Sequence, residues 1–384
     1  MVSTHAALVV TAPGQVHVER ISTKRPRSRE LLVSPLCVGV CGTDLDMIRG
    51  TRPVGTTILG HEGVAEVVAV GPGTTNFSVG QHVTFLPMNP NNPEEALGQS
   101  IEGLYQQYFL ISQAALERGL VVPFDPRLPL VCGPLIEPLA TVIYGQSLVS
   151  QVSQQQSIAI MGAGPIGLLN ALYARAGGCS RVFLIGTSQE RLDWAVKRGI
   201  VQSSHAFLNS PQLVDILLER TAGQGVDVAY LCTPRSATRS VLRQALHFLS
   251  VEGCIDLVAG TSTTDELLEL PGVNLDRIKR ANVCGLGRTV NQYITETGKK
   301  LWLTGHSGTS REYLQEAMKH LLKEPAGYAR IISHIVSCSA APLVFEQLLA
   351  VEPQRVQGEI LAKVVIDFTI EGQVVEVFEP HYAE

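Results

Sequence analysis

The 384-residue chain lacks several features that would by themselves decide its class. Its eight cysteines are scattered without a C-x-x-C pair or a dense group, which excludes a disulfide scaffold and indicates reduced thiols. No apolar run is suited to a bilayer, because the most apolar window, 130–145, contains Glu137 and two prolines. The net charge is −5 and the only basic run, 23–30, is short, so neither membrane nor nucleic acid is an expected partner.

The first fifteen residues also lack the basic segment and small-residue cleavage site of a signal peptide. Together with the scattered thiols, this predicts a cytoplasmic protein. Apolar residues make up 45% of the chain and charged residues 17%, the balance of a soluble globular protein with a large interior. A chain of this length favours two domains over one core.

The pattern of apolar residues differs between two parts of the sequence. Residues 1–150 contain short β-branched runs separated by Gly, Pro and Asn, a pattern typical of a compact antiparallel β domain. Residues 151–300 alternate strand-like runs with amphipathic helical stretches, which predicts a doubly wound parallel sheet with helices on both faces. Residues 301–384 contain one helix and a few late strands, too few for a separate core, and we expect them to complete the first domain.

A glycine-rich turn follows the first strand of the second region. In "IAIMGAGPIGLL", Gly162, Gly164 and Gly167 lie between a predicted strand and a predicted helix that opens with Pro165 and Ile166. The first glycine permits the tight turn, the second lets a pyrophosphate approach the backbone, and the third lets helix and strand pack closely. Strand, turn, helix and next strand occur in register, so we predict a dinucleotide site.

The end of the next strand bears on the choice of cofactor. A ribose with a free 2′-hydroxyl is bound by an Asp or Glu at this place, but the chain has "VFLIGTSQER". Thr187, Ser188 and Arg191 supply small hydrogen-bonding groups and a cation, which favours NADP over NAD. The alternative is that Arg191 is a solvated helix residue and Glu190 binds the ribose.

Four further residues are metal-capable. Cys41 precedes "GTD", His61 and Glu62 stand side by side in "GHEG", and Glu137 precedes a proline. A catalytic zinc requires about three protein ligands and an open position. Taken singly, Cys41 could be a core residue, His61 a turn residue and Glu137 a carboxylate at a helix start.

These motifs, in this order, resemble the zinc-dependent medium-chain dehydrogenase/reductase superfamily, and more closely its polyol and sugar dehydrogenase branch. The resembling segments span nearly the whole chain: "CGTD" at 41–44, "GHEGVAEVVAVG" at 60–71, "EPLA" at 137–140, "GAGPIGLL" at 162–169 and "KVVI" at 363–366. The resemblance implies an α/β protein with a GroES-like β catalytic domain, 1–150 completed by 301–384, and a Rossmann dinucleotide-binding domain, 151–300.

The resemblance also implies roles for individual residues. Cys41 and His61 would be ligands of one catalytic zinc, Glu137 would hold the third ligand position, and Glu62 would bind the metal directly or exchange with water. Thr43 would pass the substrate's hydroxyl proton toward solvent, and Asp44 would fix the site. Thr43, Asp44 and His61 are thus the expected catalytic set, in an enzyme that transfers a hydride between a secondary alcohol of a polyol, sugar or cyclitol and NADP(H).

One departure from the family and two open questions remain. Many relatives carry four closely spaced cysteines that hold a structural zinc, but the corresponding segment, 86–111, has none, so no structural zinc is expected. The substrate is open. By position, Asp46, Arg49, Tyr105 and Arg288 are either hydroxyl or anion partners of the substrate or solvated surface residues. "NLDRIKRANVCG" at 274–285, together with "GHSGTS" at 305–310, resembles dehydrogenases that act on aminocyclitols or related cyclic polyols. A homodimer or homotetramer is expected. The alternatives are a zinc-free enone or quinone reductase and a non-catalytic nucleotide-binding protein.

Overall fold

A computed structural model describes residues 2–258, 260–261, 267–350 and 355–380. The chain divides into two compact units. The first comprises Met1–Pro138 and Leu314–Glu384, and the second comprises Leu139–Tyr313. No helix among the described residues is both long and apolar enough to cross a bilayer.

The first unit contains strands from both ends of the chain. They are β1 Thr4–Ala12, β2 Gln15–Ser22, β3 Leu31–Gly39, β4 Glu62–Val70, β5 His82–Phe85, β6 Met88–Asn89, β7 Asn92–Ala96, β8 Phe109–Ile111 and β9 Val121–Pro123. The second unit follows with β10 Ser157–Met161, β11 Arg181–Gly186, β12 Ala206–Leu208, β13 Val226–Leu231, β14 Leu249–Leu257, β15 Asn291–Ile294 and β16 Lys300–Gly305. The first unit resumes with β17 Ile332–Ser337, β18 Arg355–Val356, β19 Glu359–Ile360, β20 Lys363–Asp367 and β21 Val375–Val377.

The α-helices lie between these strands. They are α1 Gly42–Ile48, α2 Gln113–Glu117, α3 Ile136–Val149, α4 Pro165–Ala176, α5 Gln189–Lys197, α6 Leu213–Arg220, α7 Thr238–Phe248, α8 Leu275–Arg280, α9 Arg311–Lys323, α10 Pro325–Ala329 and α11 Ala341–Leu349. Short 3-10 helices occur at Leu130–Leu135, Ser203–His205 and Arg235–Ala237.

The main sheet of the first unit joins the two ends of the chain. Its strand order is β21-β17-β20-β3-β4-β5-β9, with β8 paired to β3. The pairs are antiparallel except for β17 with β20, which both belong to the C-terminal segment. C-terminal strand β20 pairs with β3, so the C-terminal segment contributes strands to the sheet of the first unit.

The sheet of the second unit has the order β12-β11-β10-β13-β14-β16-β15, and all its pairs are parallel except the last. Strand β10 is wholly buried and β13 is buried except for Asp227, as their near-continuous apolar runs require. The predicted doubly wound α/β fold is confirmed. The sheet includes Lys300–Gly305 and therefore extends past residue 300, where the sequence had placed the boundary of this domain.

Candidate metal centre and nucleotide loop

Three neighbouring strands bring distant residues to one end of the first unit's sheet. β3 lies between β4 and β20, and Gly39 at the end of β3 pairs with Glu62 at the start of β4. Val40, just past β3, donates its N–H to Val364 near the start of β20. Cys41, Glu62 and Lys363 are thus neighbours because their strands begin or end at the same edge.

Cys41, His61 and Glu62 form one potential metal-binding group. One ligand atom from each residue, thiol, imidazole and carboxylate, lies within 4.8 Å of the others. His61 and Glu62 are buried and Cys41 is half-buried. These donor types and this number of ligands suit a catalytic zinc with an open position.

A buried carboxylate lies behind the histidine. Nδ1 of His61 is 3.4 Å from Oδ1 of Asp44, which is fully buried in the first turn of α1. The other oxygen of Asp44 accepts from the backbone N–H of Cys41 at 3.0 Å and from the hydroxyl of Tyr105 at 2.7 Å. A carboxylate at the second ring nitrogen of a histidine is the usual arrangement behind a metal ligand, because it fixes the tautomer and the ring orientation.

Gly60 makes room for this arrangement. Its φ is +90°, and a Cβ at this position would lie 2.5 Å from Cδ1 of the Tyr105 ring. A side chain here would be strained and would displace the tyrosine that donates to Asp44. The glycine before His61 is therefore required by the packing beneath the site.

Glu62 has a buried cationic partner, Lys363. The ammonium group of Lys363 forms an ion pair with Oε2 of Glu62 and also donates to the carbonyl of Val40 at 3.1 Å. Lys363 is 1% exposed, and a Cβ on Gly39 would lie 2.7 Å from its Nζ, so that glycine leaves space for the pair. This lysine is the first residue of the "KVVI" motif, whose sequence gives no sign of its pairing with Glu62.

The pKa shifts follow from burial and from these charges. Burial and the charge of Glu62 raise the pKa of the Cys41 thiol. Burial alone would lower the pKa of His61 and raise that of Asp44, but the attraction between the two outweighs it, so the pKa of His61 is well above its usual value and that of Asp44 is lowered. Burial likewise opposes the charge of Lys363, yet Glu62 raises its pKa overall.

The charge balance of the cluster fits a divalent cation. Metal binding needs a thiolate and a neutral imidazole, so it would displace the protons that these pKa values favour on Cys41 and His61. The cluster would then carry the negative charges of Cys41, Asp44 and Glu62 against the single positive charge of Lys363. An excess of negative charge in a buried place is costly unless a cation compensates it.

The other residues predicted for this site lie nearby in sequence or in a neighbouring element. Thr43 is half-buried in the first turn of α1, two residues after Cys41. Glu137 is half-buried in the first turn of α3 and lies outside the three-residue metal-binding group. Its role as a ligand stays a prediction. Tyr105, expected near the substrate, is 2% exposed, and its hydroxyl donates to Asp44.

The glycine loop of the second unit has the geometry that its sequence predicts. Gly162 has φ +126°, and a Cβ there would lie 2.4 Å from the carbonyl oxygen of Cys232. A Cβ on Gly167 would lie 1.9 Å from the carbonyl oxygen of Gly162, so the helix packs closely against the strand end. Gly164 caps α4, which begins with Pro165 and Ile166, and a Cβ there would meet nothing within 4 Å. This open space at a helix N-terminus is where a pyrophosphate can approach the backbone.

Residues beyond β11 occupy the position that contacts the 2′ group of a bound ribose in this fold. Thr187 is exposed, and the hydroxyl of Ser188 caps α5 by accepting from the N–H of Arg191 at 3.4 Å. Arg191 is half-buried in the first turn of α5, and Glu190 beside it is exposed. No acidic residue ends β11 itself.

Family models match both parts of the chain. The "Alcohol dehydrogenase GroES-like domain" matches residues 27–120, and the "Zinc-binding dehydrogenase" domain matches residues 165–301. Sorbitol dehydrogenase of Bombyx mori is 28% identical over 75% of this chain and 85% of its own. A protein assigned as a D-xylulose reductase in Rhizobium meliloti is 30% identical over 59% of this chain and 69% of its own.

Solved structures share the fold over almost the entire length. A zinc-binding dehydrogenase of Sinorhizobium meliloti 1021, bound to NADP, has a TM-score of 0.69 at 21% identity and covers 95% of this chain and 100% of its own. The alcohol dehydrogenase rspB of Escherichia coli CFT073, in complex with NADH, has a TM-score of 0.72 at 18% identity, covering 96% and 100%.

A GroES-like unit with a Cys-His-Glu group and a Rossmann unit with a glycine loop together define a zinc-type dehydrogenase. The chain belongs to the zinc-dependent medium-chain dehydrogenase/reductase superfamily, in its alcohol and polyol dehydrogenase branch. The family and the fold predicted from the sequence are confirmed.

Proposed function

We propose that the protein is a zinc-dependent oxidoreductase that transfers a hydride between a secondary alcohol of a polyol, sugar or cyclitol and NADP(H). The observation that carries this proposal is the convergence of Cys41, His61 and Glu62, with ligand atoms within 4.8 Å of one another, in a chain of the polyol dehydrogenase branch. The sugar and polyol names of the relatives support the substrate class.

Cys41, His61 and Glu62 would hold the metal. When bound, a zinc ion polarises the oxygen of an alcohol or carbonyl and makes the alcohol a stronger acid. Asp44 holds the His61 ring in place from behind, and Tyr105 in turn holds Asp44. Glu137 is the proposed further carboxylate ligand, on the strength of the family motif and its place at the start of α3.

Two other groups of this site would act on protons and charge. Thr43, half-buried beside Cys41, would accept the proton of the substrate hydroxyl and pass it toward solvent. Lys363 would govern Glu62, because a carboxylate held by a buried ammonium is a weaker metal ligand than a free one. We infer that Glu62 is the ligand that exchanges with water.

The nucleotide would bind the second unit. Gly162, Gly164 and Gly167 would receive the pyrophosphate, with Pro165 and Ile166 opening the helix behind it. Thr187, Ser188 and Arg191 would contact a 2′-phosphate, which is why NADP is proposed over NAD. One structural relative holds NADP and another holds NADH, so the fold accepts either cofactor. Nucleotide binding is accordingly proposed for the second unit, Leu139–Tyr313, and the catalytic role for the first unit.

One experiment separates this function from its alternatives. The purified protein is analysed for metal and then assayed for hydride transfer with NADP⁺ and NAD⁺ over a panel of polyols, sugars and cyclitols. We expect about one zinc per chain and NADPH formation with a member of the panel. Enone or quinone reduction without zinc would indicate the zinc-free reductase, and nucleotide binding without any turnover would indicate a non-catalytic protein.

Two further properties are proposed from the family and the composition. We expect a homodimer or homotetramer, which light scattering on the eluting protein measures directly. We also propose a cytoplasmic location and the absence of a structural zinc, so the zinc content should not exceed one per chain. In the segment that would carry the structural metal, Glu95 instead accepts from Asn89 at 2.7 Å and from Arg118 at 2.7 Å.

A further inference from the structure

A second buried pair of titratable side chains lies in the Rossmann unit, apart from the metal group. Asp256 is the second-last residue of β14, and His306 directly follows the last residue of β16, the neighbouring parallel strand. Nδ1 of His306 is 3.2 Å from Oδ1 of Asp256. The side chains are 1% and 0% exposed, and neither residue belongs to the metal group or to the glycine loop.

The remaining polar atoms of the pair have no hydrogen-bond partner among the described residues. They are Oδ2 of Asp256 and Nε2 of His306. Both face Gly145, where a Cβ would lie 2.6 Å from Oδ2 and 2.4 Å from Cε1 of the imidazole. The buried polar pair therefore packs against the backbone of α3 at Gly145, and a larger residue at this position would displace it.

The backbone around this pair is also held in place. Nζ of Lys279 donates to the carbonyls of Leu257 at 3.1 Å, Val258 at 2.8 Å and His306 at 2.7 Å. The Tyr144 ring packs edge-on against the imidazole at 5.3 Å, and its hydroxyl donates to the carbonyl of Gly287. The ends of two strands and the loop before β15 are thereby fixed together.

The strand order assigns a ligand to this edge. The order β12-β11-β10-β13-β14-β16 corresponds to the 3-2-1-4-5-6 order of a fold built from two mononucleotide-binding halves. The glycine loop follows β10, and β11 and β12 belong to the adenosine half. The carboxyl ends of β13, β14 and β16 then face the nicotinamide half, and Asp256 and His306 lie at two of these three strand ends.

We propose that the Asp256–His306 pair, with Lys279, positions the ends of β14 and β16 for the nicotinamide half of the cofactor. The inference rests on the proposed use of a nicotinamide dinucleotide. Both residues act through the backbone that they fix and are positioning residues. The hydrogen bond from Nδ1 of His306 to Asp256 is the contact that holds the two strand ends in register.

The test compares whole cofactor with its adenosine fragment. Binding of NADP⁺ and of adenosine 2′,5′-bisphosphate is measured by calorimetry for the wild type, His306→Leu and His306→Asn. Leucine removes the donor, whereas asparagine places an amide N–H near the position of Nδ1. We expect His306→Leu to weaken NADP⁺ binding roughly tenfold while the fragment binds as before, and His306→Asn to restore most of the loss.

A matched control lies at the opposite edge of the same sheet. Asp227 at the start of β13 accepts from the N–H and hydroxyl of Ser157, at 2.8 and 2.9 Å. Asp227→Asn therefore removes a carboxylate from an amino end, and we expect it to leave both ligands bound as in the wild type. Should His306→Leu fail to fold, His306→Gln takes its place, because its amide reaches toward the Nε2 position rather than Nδ1.

The outcomes are distinguishable. If the wild type binds none of NADP⁺, adenosine 2′,5′-bisphosphate, NAD⁺ and ADP, the proposed nucleotide binding is wrong, and this inference fails with it. A His306 variant that binds NADP⁺ like the wild type overturns the positioning role alone. Equal weakening of NADP⁺ and of the fragment also overturns it, because that result reports a general disturbance of the unit.

Discussion

The metal group and the glycine loop are built from different parts of the chain. The metal group uses Cys41 just before α1 together with His61 and Glu62 at the start of β4, and Glu62 pairs with Lys363 of β20, 301 residues further along the chain. The glycine loop uses the backbone of one continuous segment, 162–167, and its defining residues have no side chains. The metal group depends on the balance of buried charges, whereas the glycine loop depends on the absence of side chains around its backbone.

This difference explains what each site needs from its surroundings. Ligands that carry charge must be compensated by partners elsewhere in the fold, and Asp44, Tyr105 and Lys363 provide such contacts. A backbone loop needs close approach of neighbouring main chain, which Gly162 and Gly167 allow by themselves. Substitutions should therefore disturb the first site through charge and the second through volume.

The largest expected effect comes from removing a metal ligand. Cys41→Ser and His61→Ala should each reduce turnover to background, because each removes one of the proposed zinc ligands. NADP(H) binding should stay within about twofold of the wild type, since the glycine loop belongs to a separate compact unit. Zinc content by mass spectrometry, hydride transfer and calorimetry measure the three quantities.

The matched control for this pair is Cys179→Ser, a half-buried thiol of the second unit. It should retain both zinc and turnover. Turnover that survives in Cys41→Ser or His61→Ala would remove zinc from the mechanism. Loss of nucleotide binding in these variants would show that the glycine loop depends on the metal group.

The next effect tests the buried charge on Glu62. Lys363→Met leaves that carboxylate without its buried cation and should lower the free energy of unfolding of the zinc-free protein by about 3 to 5 kcal/mol. Adding Glu62→Gln should recover much of the loss, because the unpaired charge is then absent. Denaturant unfolding after treatment with a chelator measures both variants.

The control is an ion pair of the same type at the surface. Lys24 lies 3.4 Å from Glu102 and both side chains are exposed, so Lys24→Met should cost less than about 1 kcal/mol. If Lys363→Met costs no more than Lys24→Met, Lys363 does not compensate Glu62. The charge balance of the metal group would then not depend on Lys363.

A smaller effect separates folding from ligand approach within the loop. Gly167→Ala should destabilise the protein by about 3 kcal/mol, because its Cβ would overlap the carbonyl oxygen of Gly162. Gly164→Ala meets no protein atom and should cost no more than about 1 kcal/mol of stability. Both should weaken NADP(H) binding, as measured by calorimetry, while zinc content is unchanged. A Gly164→Ala variant that binds the cofactor normally would place the pyrophosphate elsewhere.

The same contrast decides how much could be predicted from the sequence. The glycine loop and the strand-helix alternation are local patterns, so the second unit's fold and Gly162, Gly164 and Gly167 could be read from neighbouring residues. Cys41 and Glu62 are residue types that bind metals. The order of their motifs along the chain, which resembles that of the family, predicted that they form one site.

Compensating partners have no such signature. The apolar run that follows Lys363 predicts only a β-strand. The lysine lies beside Glu62 because β20 pairs with β3. Tyr105 was assigned to the substrate because its position along the chain suggested a pocket, whereas its hydroxyl points to Asp44. Contacts that depend on sheet register between distant segments could not be predicted from composition or spacing.

The smallest expected effect comes from Arg191, a residue of the nucleotide-binding unit that acts through charge. Arg191→Ala should weaken NADP(H) by about 1 to 2 kcal/mol and change NAD(H) much less, since the half-buried guanidinium in the first turn of α5 would make a charge-assisted contact with a 2′-phosphate but not with a neutral 2′-hydroxyl. Arg181→Ala, at the exposed start of β11 and the opposite end of that strand, should change neither cofactor. Calorimetry with both nucleotides measures the ratio. Equal losses for NADP(H) and NAD(H) would exclude a 2′-phosphate contact and would make Glu190 the better candidate for the ribose.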